Sequence, residues 1–343
     1  MAHRDMVVIG TSAGGLEALQ ALFRALPEDL GAAVLVVIHR TENTASLLPE
    51  ILARVTNIPV ESPEDGDLIR RGRIYIAPQG VHMMVEHGRI RLVRGPRENR
   101  HRPAIDPLFR SAATNFGPRV IGIILTGMLD DGTSGLMVVE AHGGVAVVQD
   151  PRTAMFPAMP QNALNRVPDA RVANLEEIPG VLKELAAEPI EVRGYGASLD
   201  DDAVKEARIA DADMKEIENE DRPGTASEFA CPECGGVLWE IEQGDLLRFR
   251  CRVGHAYTAD HLQAAQRQAV EGALWAALRA LEESLSMYKR LSLRARVTNN
   301  LFTAQMYDDR ITTTEVNARV LQEFLLTVNG NGHGDVADAE ESA

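Results

Sequence analysis

Val7-Val8-Ile9-Gly10-Thr11-Ser12-Ala13-Gly14-Gly15-Leu16 is the stretch on which the reading of this chain turns. Three consecutive β-branched residues form a strand, glycines at 10, 14 and 15 allow a tight turn, and a helical pattern opens at Leu16. The turn leaves Ser12 at the carboxyl end of a strand, facing a helix N-terminus. Its hydroxyl is exposed there, and nearby backbone N–H groups can receive a developing oxyanion. The same turn suits a phosphate. Gly10, Ser12 and Gly15 occupy the places where a dinucleotide fingerprint sets three glycines. Taken alone, it leaves a nucleotide-binding oxidoreductase and an esterase both open.

Outward from this turn, strand-like runs recur at 34–39, 73–77, 81–86, 89–94, 120–126 and 145–149. Those at 6–10, 34–39, 120–126 and 145–149 are almost continuously apolar, as parallel strands covered on both faces are. Helical patterns fall at 16–26, 44–55, 106–116, 134–142 and 175–187. The pair 81–86 and 89–94, joined by His87-Gly88, reads as a hairpin at an edge. The fold expected is α/β: a doubly wound, mostly parallel sheet with helices on both faces.

The second strand narrows the choice. A dinucleotide site wants an acidic residue at its end, but Val34-Leu35-Val36-Val37-Ile38 ends in His39. A histidine there emerges at the same sheet edge as Ser12 and can serve as its general base. Past the strand Val120–Leu125 come Asp130 and Asp131. A buried carboxylate at that edge can hold the imidazole in its working tautomer, although either aspartate could simply cap the following helix. His82 and His101 are further candidates for the base.

These residues sit in a recognisable pattern. The segment 6–188 resembles the catalytic domain of the CheB protein-glutamate methylesterase/glutaminase family. The resemblance runs through Val8–Gly15, Tyr75-Ile76-Ala77-Pro78 with His82-Met83, Asn99-Arg100-His101-Arg102-Pro103 leading to Asp106 and Leu108-Phe109, Ile124–Met128 with Asp131-Gly132, and Ala158-Met159-Pro160. It implies Ser12 as nucleophile, His39 as base and Asp131, which directly precedes the glycine, as orienting acid. It also implies the backbone N–H groups of Ala13 and Met128 as the oxyanion hole. The reaction implied is hydrolysis of a glutamate γ-methyl ester on a methylated receptor or other sensory protein, in chemotaxis or related signal transduction, with no catalytic cofactor. Some family members also deamidate glutamine. The usual N-terminal receiver domain is not in this sequence, and Ala13 stands where many members have Thr.

The remainder is different in kind. The net charge is −15 over 343 residues. Residues 1–190 hold 19 basic and 22 acidic side chains, giving −3, so the other −12 lies beyond them. Such acidity argues against sequence-independent nucleic-acid binding. No apolar run reaches the roughly 20 residues a membrane-spanning helix needs, and the start lacks a signal-peptide pattern, so a cytoplasmic protein is expected. Arginines at 89, 91, 94, 97, 100 and 102 form a basic strip, either a solvated face or a steering surface for a glutamate-rich substrate. Residues 189–228 read as an acidic linker with a short helix inside 203–217. Within 229–257, Cys231-x2-Cys234 and Cys251-x3-His255 are separated by 16 residues. That spacing suits structural Zn²⁺ in a zinc-ribbon-like module. Residues 258–328 read as a helical hairpin that docks a regulatory protein or a second copy, its second helix opening at the capping-box spacing Thr312-x-x-Glu315. The tail 329–343 reads as disordered. A scaffold that keeps the fold without catalysis is the remaining alternative.

Overall fold

Where β-branched and aliphatic residues run together the chain extends, and a helix returns it to the same end of the sheet for the next parallel strand. The computed structural model describes residues 2–39, 47–190, 202–210 and 224–331, and for 327–331 the backbone only. In chain order the elements are β1 (Ala2–His3), β2 (Met6–Thr11), α1 (Gly15–Ala25), β3 (Ala33–Ile38), α2 (Leu48–Ala53), β4 (Val60–Glu61), β5 (Arg73–Ile76), β6 (His82–Glu86), β7 (Arg89–Val93) and α3 (Ile105–Phe116). There follow β8 (Val120–Ile124), α4 (Thr133–Ala141), β9 (Val145–Gln149), α5 (Ala158–Arg166), β10 (Arg171–Ala173), α6 (Ile178–Ala187), β11 (Pro189–Ile190) and α7 (Asp202–Ala210). The last are β12 (Thr225–Ala230), β13 (Val237–Gln243), β14 (Leu246–Cys251), β15 (Ala256–Thr258), α8 (Ala259–Val297) and α9 (Leu301–Asn331).

Seven strands form one parallel sheet in the order β10-β9-β8-β2-β3-β5-β4. Strand alternation divides the core in two. Val8 and Leu35 pack with Ile105, Leu108 and Phe109 on one face, while Val7 and Ile9 pack with Leu19, Leu22 and Phe23 on the other. Each such buried side chain contributes about 1.5–3 kcal/mol. From β2 the strand order departs in opposite directions, to β3 on one side and β8 on the other. This is the topological switch point at which open α/β sheets place their sites.

Several expectations are adjusted. The hairpin β6–β7 forms, with Glu86 opposite Arg89, but it is a separate two-stranded sheet. It docks on α3, where the Ser111 hydroxyl accepts the Val85 N–H at 3.0 Å and Asn115 donates to the Val85 carbonyl at 3.0 Å. Strands β4 and β10 escaped the sequence reading because two or three residues show no period. Helix α5 escaped it because Ala158–Arg166 is polar and carries Pro160, which a first turn tolerates. The expected helix over 44–55 is described from Leu48, its start lying outside the described residues.

The stretch expected to be a linker contains packed structure. Helix α7 buries Glu206, which bonds Arg248 at 2.6 and 2.8 Å and Arg250 at 2.8 Å. Arg250 reaches on to Glu98 at 2.9 Å, and Glu98 accepts from Arg110 of α3 at 2.5 Å. Composition concealed this because the buried face is narrow, Ala203, Ile209 and Ala210 beside the ion-paired Glu206. Antiparallel β12-β13-β14-β15 runs a little past 229–257 at both ends.

The chain divides into two compact units, one ending at Leu262 and the other beginning at Gln263. The second unit is a helical hairpin made by the rest of α8 and by α9. Lys289 pairs with Glu315 at 2.9 Å and the Ser292 hydroxyl with Asp308 at 2.6 Å. Its second helix starts at Leu301, capped by Asn300, whose side chain accepts the Thr303 N–H at 3.1 Å. Thr312 lies mid-helix and bonds back to the Asp308 carbonyl, so the capping-box spacing there was a coincidence. The tail beyond 331 lies outside the described residues. No described helix is long and apolar enough to cross a membrane.

Candidate active site

Three strand ends converge at the switch point. Ser12 leaves β2, His39 leaves β3, and Asp131 stands between β8 and α4. The His39 ring lies between the other two, Nδ1 3.2 Å from the Ser12 Oγ and Nε2 2.7 Å from Asp131 Oδ2. Burial raises the pKa of Asp131, but the His39 hydrogen bond and charge and the Ile105 N–H outweigh it. The carboxyl is held far below the usual range. It is therefore ionised and accepts the Nε2–H, which leaves the Nδ1 lone pair facing the serine hydroxyl.

The turn is fixed from several sides. Gly14 takes φ 71°, a left-handed conformation that glycine adopts without steric cost, and α1 starts directly after it. The Ser12 N–H donates to the Thr126 carbonyl at 3.1 Å, and the Thr126 hydroxyl donates to the Ala13 carbonyl at 3.1 Å. Gly127 lies so close that a Cβ would sit 2.9 Å from Ser12 Cβ and 2.7 Å from the Met159 sulfur. Among the described residues, neither the Ala13 nor the Met128 N–H donates to a backbone carbonyl.

The other histidines are placed differently. His82 is buried, with Nε2 2.8 Å from the Pro96 carbonyl and Nδ1 accepting the Ala104 N–H at 3.2 Å. His101 stacks on His39 with ring centroids 3.6 Å apart, and His261 meets His101 edge-on at 5.9 Å. Burial pushes His101 well below its usual value and His261 down to about 3, so both rings are neutral at pH 7. Asp130 points elsewhere, accepting the Thr258 hydroxyl at 2.6 Å. Burial, followed by the charges of Asp260 and Asp131, raises it to about 7 against the Thr258 hydrogen bond.

Sequence reasoning missed Asn99, Thr258 and His261 as neighbours of this site. Asn99 donates to Asp131 Oδ1 at 2.8 Å and to Asp106 Oδ2 at 2.9 Å. Burial and then the Asp131 charge push Asp106 up to about 7. Asn99 was visible only inside the block Asn99–Pro103. Thr258 and His261 lie far along the chain, and no spacing rule connects them to Ser12.

The Cys/His module brings its four expected residues together, with donor atoms all within 4.8 Å of one another. Cys234 Sγ and Cys251 Sγ are 3.7 Å apart, and His255 Nδ1 is 3.5 Å from Cys251 Sγ and 3.7 Å from Cys231 Sγ. His255 Nε2 lies 3.3 Å from Glu233. The arginine strip is partly engaged within the protein: Arg89 donates to the Gly66 carbonyl, Arg91 pairs with Asp65 and Glu86, and Arg102 donates to the Gly95 carbonyl.

Comparison with known proteins identifies the family of the segment that carries these strand ends. The family model described as CheB methylesterase matches residues 7–182. The protein-glutamate methylesterase/protein-glutamine glutaminase 2 of Anaeromyxobacter dehalogenans is 39% identical over 184 residues, 54% of each chain. A Leptospira interrogans protein with the same description, marked putative in its name, is 34% identical over 55% of this chain and 98% of its own. The chain thus spans about half the length of most curated relatives it matches. The crystal structure of the Thermotoga maritima CheB methylesterase catalytic domain aligns with a TM-score of 0.51 at 31% identity, covering 54% of this chain and all of that one. With its family segment laid over half its length on a matching fold, the chain belongs to the CheB methylesterase family.

Proposed function

We propose that this protein is a serine esterase that hydrolyses glutamate γ-methyl esters on methylated receptor-like proteins. The observation that carries the reading is the His39 ring bridging Ser12 and Asp131 at 3.2 and 2.7 Å. Ser12 Oγ attacks the ester carbonyl carbon as His39 Nδ1 takes its proton, and Asp131 stabilises the imidazolium that forms. The tetrahedral oxyanion is received by the N–H groups of Ala13 and Met128. Collapse breaks the C–OCH3 bond, and His39 returns the proton so that methanol leaves. Water then attacks the acyl-serine with His39 again as base, releasing the glutamate. A glutamine side chain can follow the same path with ammonia as leaving group, in keeping with the double name of the relatives.

The four-residue cluster fits structural zinc. Tetrahedral Zn²⁺ with Zn–S near 2.3 Å and Zn–N near 2.0 Å sets S···S edges of roughly 3.8 Å and S···N edges of roughly 3.5 Å. Three of the separations, 3.5–3.7 Å, match these, and all the donor atoms lie within 4.8 Å of one another. Cys231, Cys234, Cys251 and His255 would close the coordination shell, with Glu233 orienting the imidazole. The ion would hold the module together and leave no position for substrate. Reduced cysteines fit a cytoplasmic location, and the helical unit from Gln263 offers a surface for a regulatory protein.

The direct test is methanol release from methylated receptor. Wild type should release it and Ser12→Ala should not; equal release by both proteins ends the esterase reading.

A further inference from the structure

The cysteine-bearing sheet does more than flank the site: it supplies the atoms that fix the partner of Asp131. Asp131 presents two oxygens. Oδ2 accepts His39 Nε2–H at 2.7 Å and the Ile105 N–H at 2.7 Å. Oδ1 accepts the Asn99 side chain at 2.8 Å, and its other contact, the Asp106 N–H, is long at 3.4 Å. The Asn99 amide is therefore the short contact on Oδ1 and, with the Ile105 N–H on Oδ2, sets rotation of the carboxylate and the direction of the bond to His39.

Asn99 is held by β15. Its N–H donates to the Ala256 carbonyl at 2.7 Å, and its side-chain oxygen accepts the Thr258 N–H at 3.0 Å. Asn99 and Arg100 both have positive φ, 50° and 69°. Such backbone persists only where its surroundings impose it. The grip is doubled one residue away, where Glu98 pairs with Arg250 beside Cys251 at 2.9 Å. β15 itself begins immediately after His255, and its position is set by three pairings with β14, which ends in Cys251. The large side chains buried in this small sheet are few, among them Leu238, Ile241, Leu246, Phe249 and Tyr257. A module of this size standing alone commonly depends on a metal; here ion pairs to Glu98 and Glu206 add to its support.

We propose that the Cys231/Cys234/Cys251/His255 cluster, when it holds zinc, braces the candidate triad through β15, with Asn99 as the positioning residue that aims Asp131 at His39. The esterase becomes metal-dependent although the metal touches neither substrate nor reacting atoms. This inference rests on the esterase and zinc readings above, but part of its test needs no substrate.

The experiment uses the full chain, zinc-loaded and chelator-stripped, as wild type and as Asn99→Ala. Activity is read as methanol release, with kcat and KM separated. The His39–Asp131 bond is read from the low-field imidazole N–H proton in NMR, assigned by its loss in His39→Ala. Misaiming a catalytic group costs about 10²-fold, so stripping should lower kcat of the wild type by about that factor with KM nearly unchanged. Loaded Asn99→Ala should show the same fall, stripping it should add little, and the resonance should weaken in every one of these cases. Non-additivity of this kind marks two perturbations acting through one contact. Independent, additive losses in proteins that keep native far-UV circular dichroism would overturn the brace. So would an unaltered kcat and resonance in loaded Asn99→Ala, which retains all four ligands and decides the matter even if the stripped chain unfolds. If loaded wild type releases no methanol, the esterase reading fails on its own, and the resonance still decides for or against the brace.

Discussion

At the scale of single residues, the candidate site separates the protonation states of neighbouring acids. Asp131 is held ionised by His39 and the Ile105 N–H, while Asp106 beside it and Asp130 next in the chain are pushed up to about 7, chiefly by burial. Asp131→Asn should lower kcat for methanol release by about 10³- to 10⁴-fold with the fold intact, because the amide no longer dictates the imidazole tautomer; a loss under tenfold would remove it from the mechanism. Asp130 leads to a prediction about stability. Its folded pKa lies above the ordinary value, so its contribution is complete below about pH 4 and is lost as pH rises through about 7. Wild type should therefore lose stability relative to Asp130→Asn over that interval, by on the order of a few kcal/mol. Urea unfolding at pH 4.5 and 8 checks this, and parallel profiles would refute it. The choice between Asp130 and Asp131 shows how much residue types can reveal. Both follow the strand, and family likeness favours the one before Gly132, but only coordinates reveal that Asp130 turns toward Thr258.

At the scale of elements, α7 and the turn after β8 each carry a specific demand. Glu206 on α7 is buried against three arginines. Burial raises its pKa, and Arg248, Arg250 and Arg110 outweigh that to hold it well below its ordinary value. Its contribution is therefore present above about pH 4.5 and lost as pH falls through the lowered folded value. Glu206→Gln should destabilise the first unit by about 3–5 kcal/mol at pH 7, with the two denaturation curves converging in acid. A neutral effect would show that the arginines find other partners. After β8, Gly127→Ala forces a methyl against Ser12 Cβ and the Met159 sulfur. It should cost activity more than stability, visible as a lowered kcat beside a nearly unchanged urea midpoint. Long apolar strands and most helices were legible because their periods are strong. Short β4 and β10 and polar α5 were not, and α7 was legible as a short helix but not as a packed one, since their burial depends on partners far along the chain.

At the scale of the whole molecule, a family segment is joined to a cysteine-bearing sheet within one compact unit, followed by a helical one. Elemental analysis of purified protein should find one zinc per chain, and chelation should lower the thermal midpoint of the first unit, because an ion that binds only the folded state stabilises it. A stoichiometry near zero, or a midpoint indifferent to chelator, would dismiss the metal. What the sequence determined by itself was local and periodic: strand, glycine turn, helix, and the reactive side chains that each strand end would carry to a single edge. Only the tertiary structure decided which of those side chains meet, and that β15 from beyond the catalytic segment grips Asn99. The physical reason is that sequence spacing constrains neighbours within an element, whereas hydrogen-bond partners at a sheet edge come from segments whose proximity is set by packing.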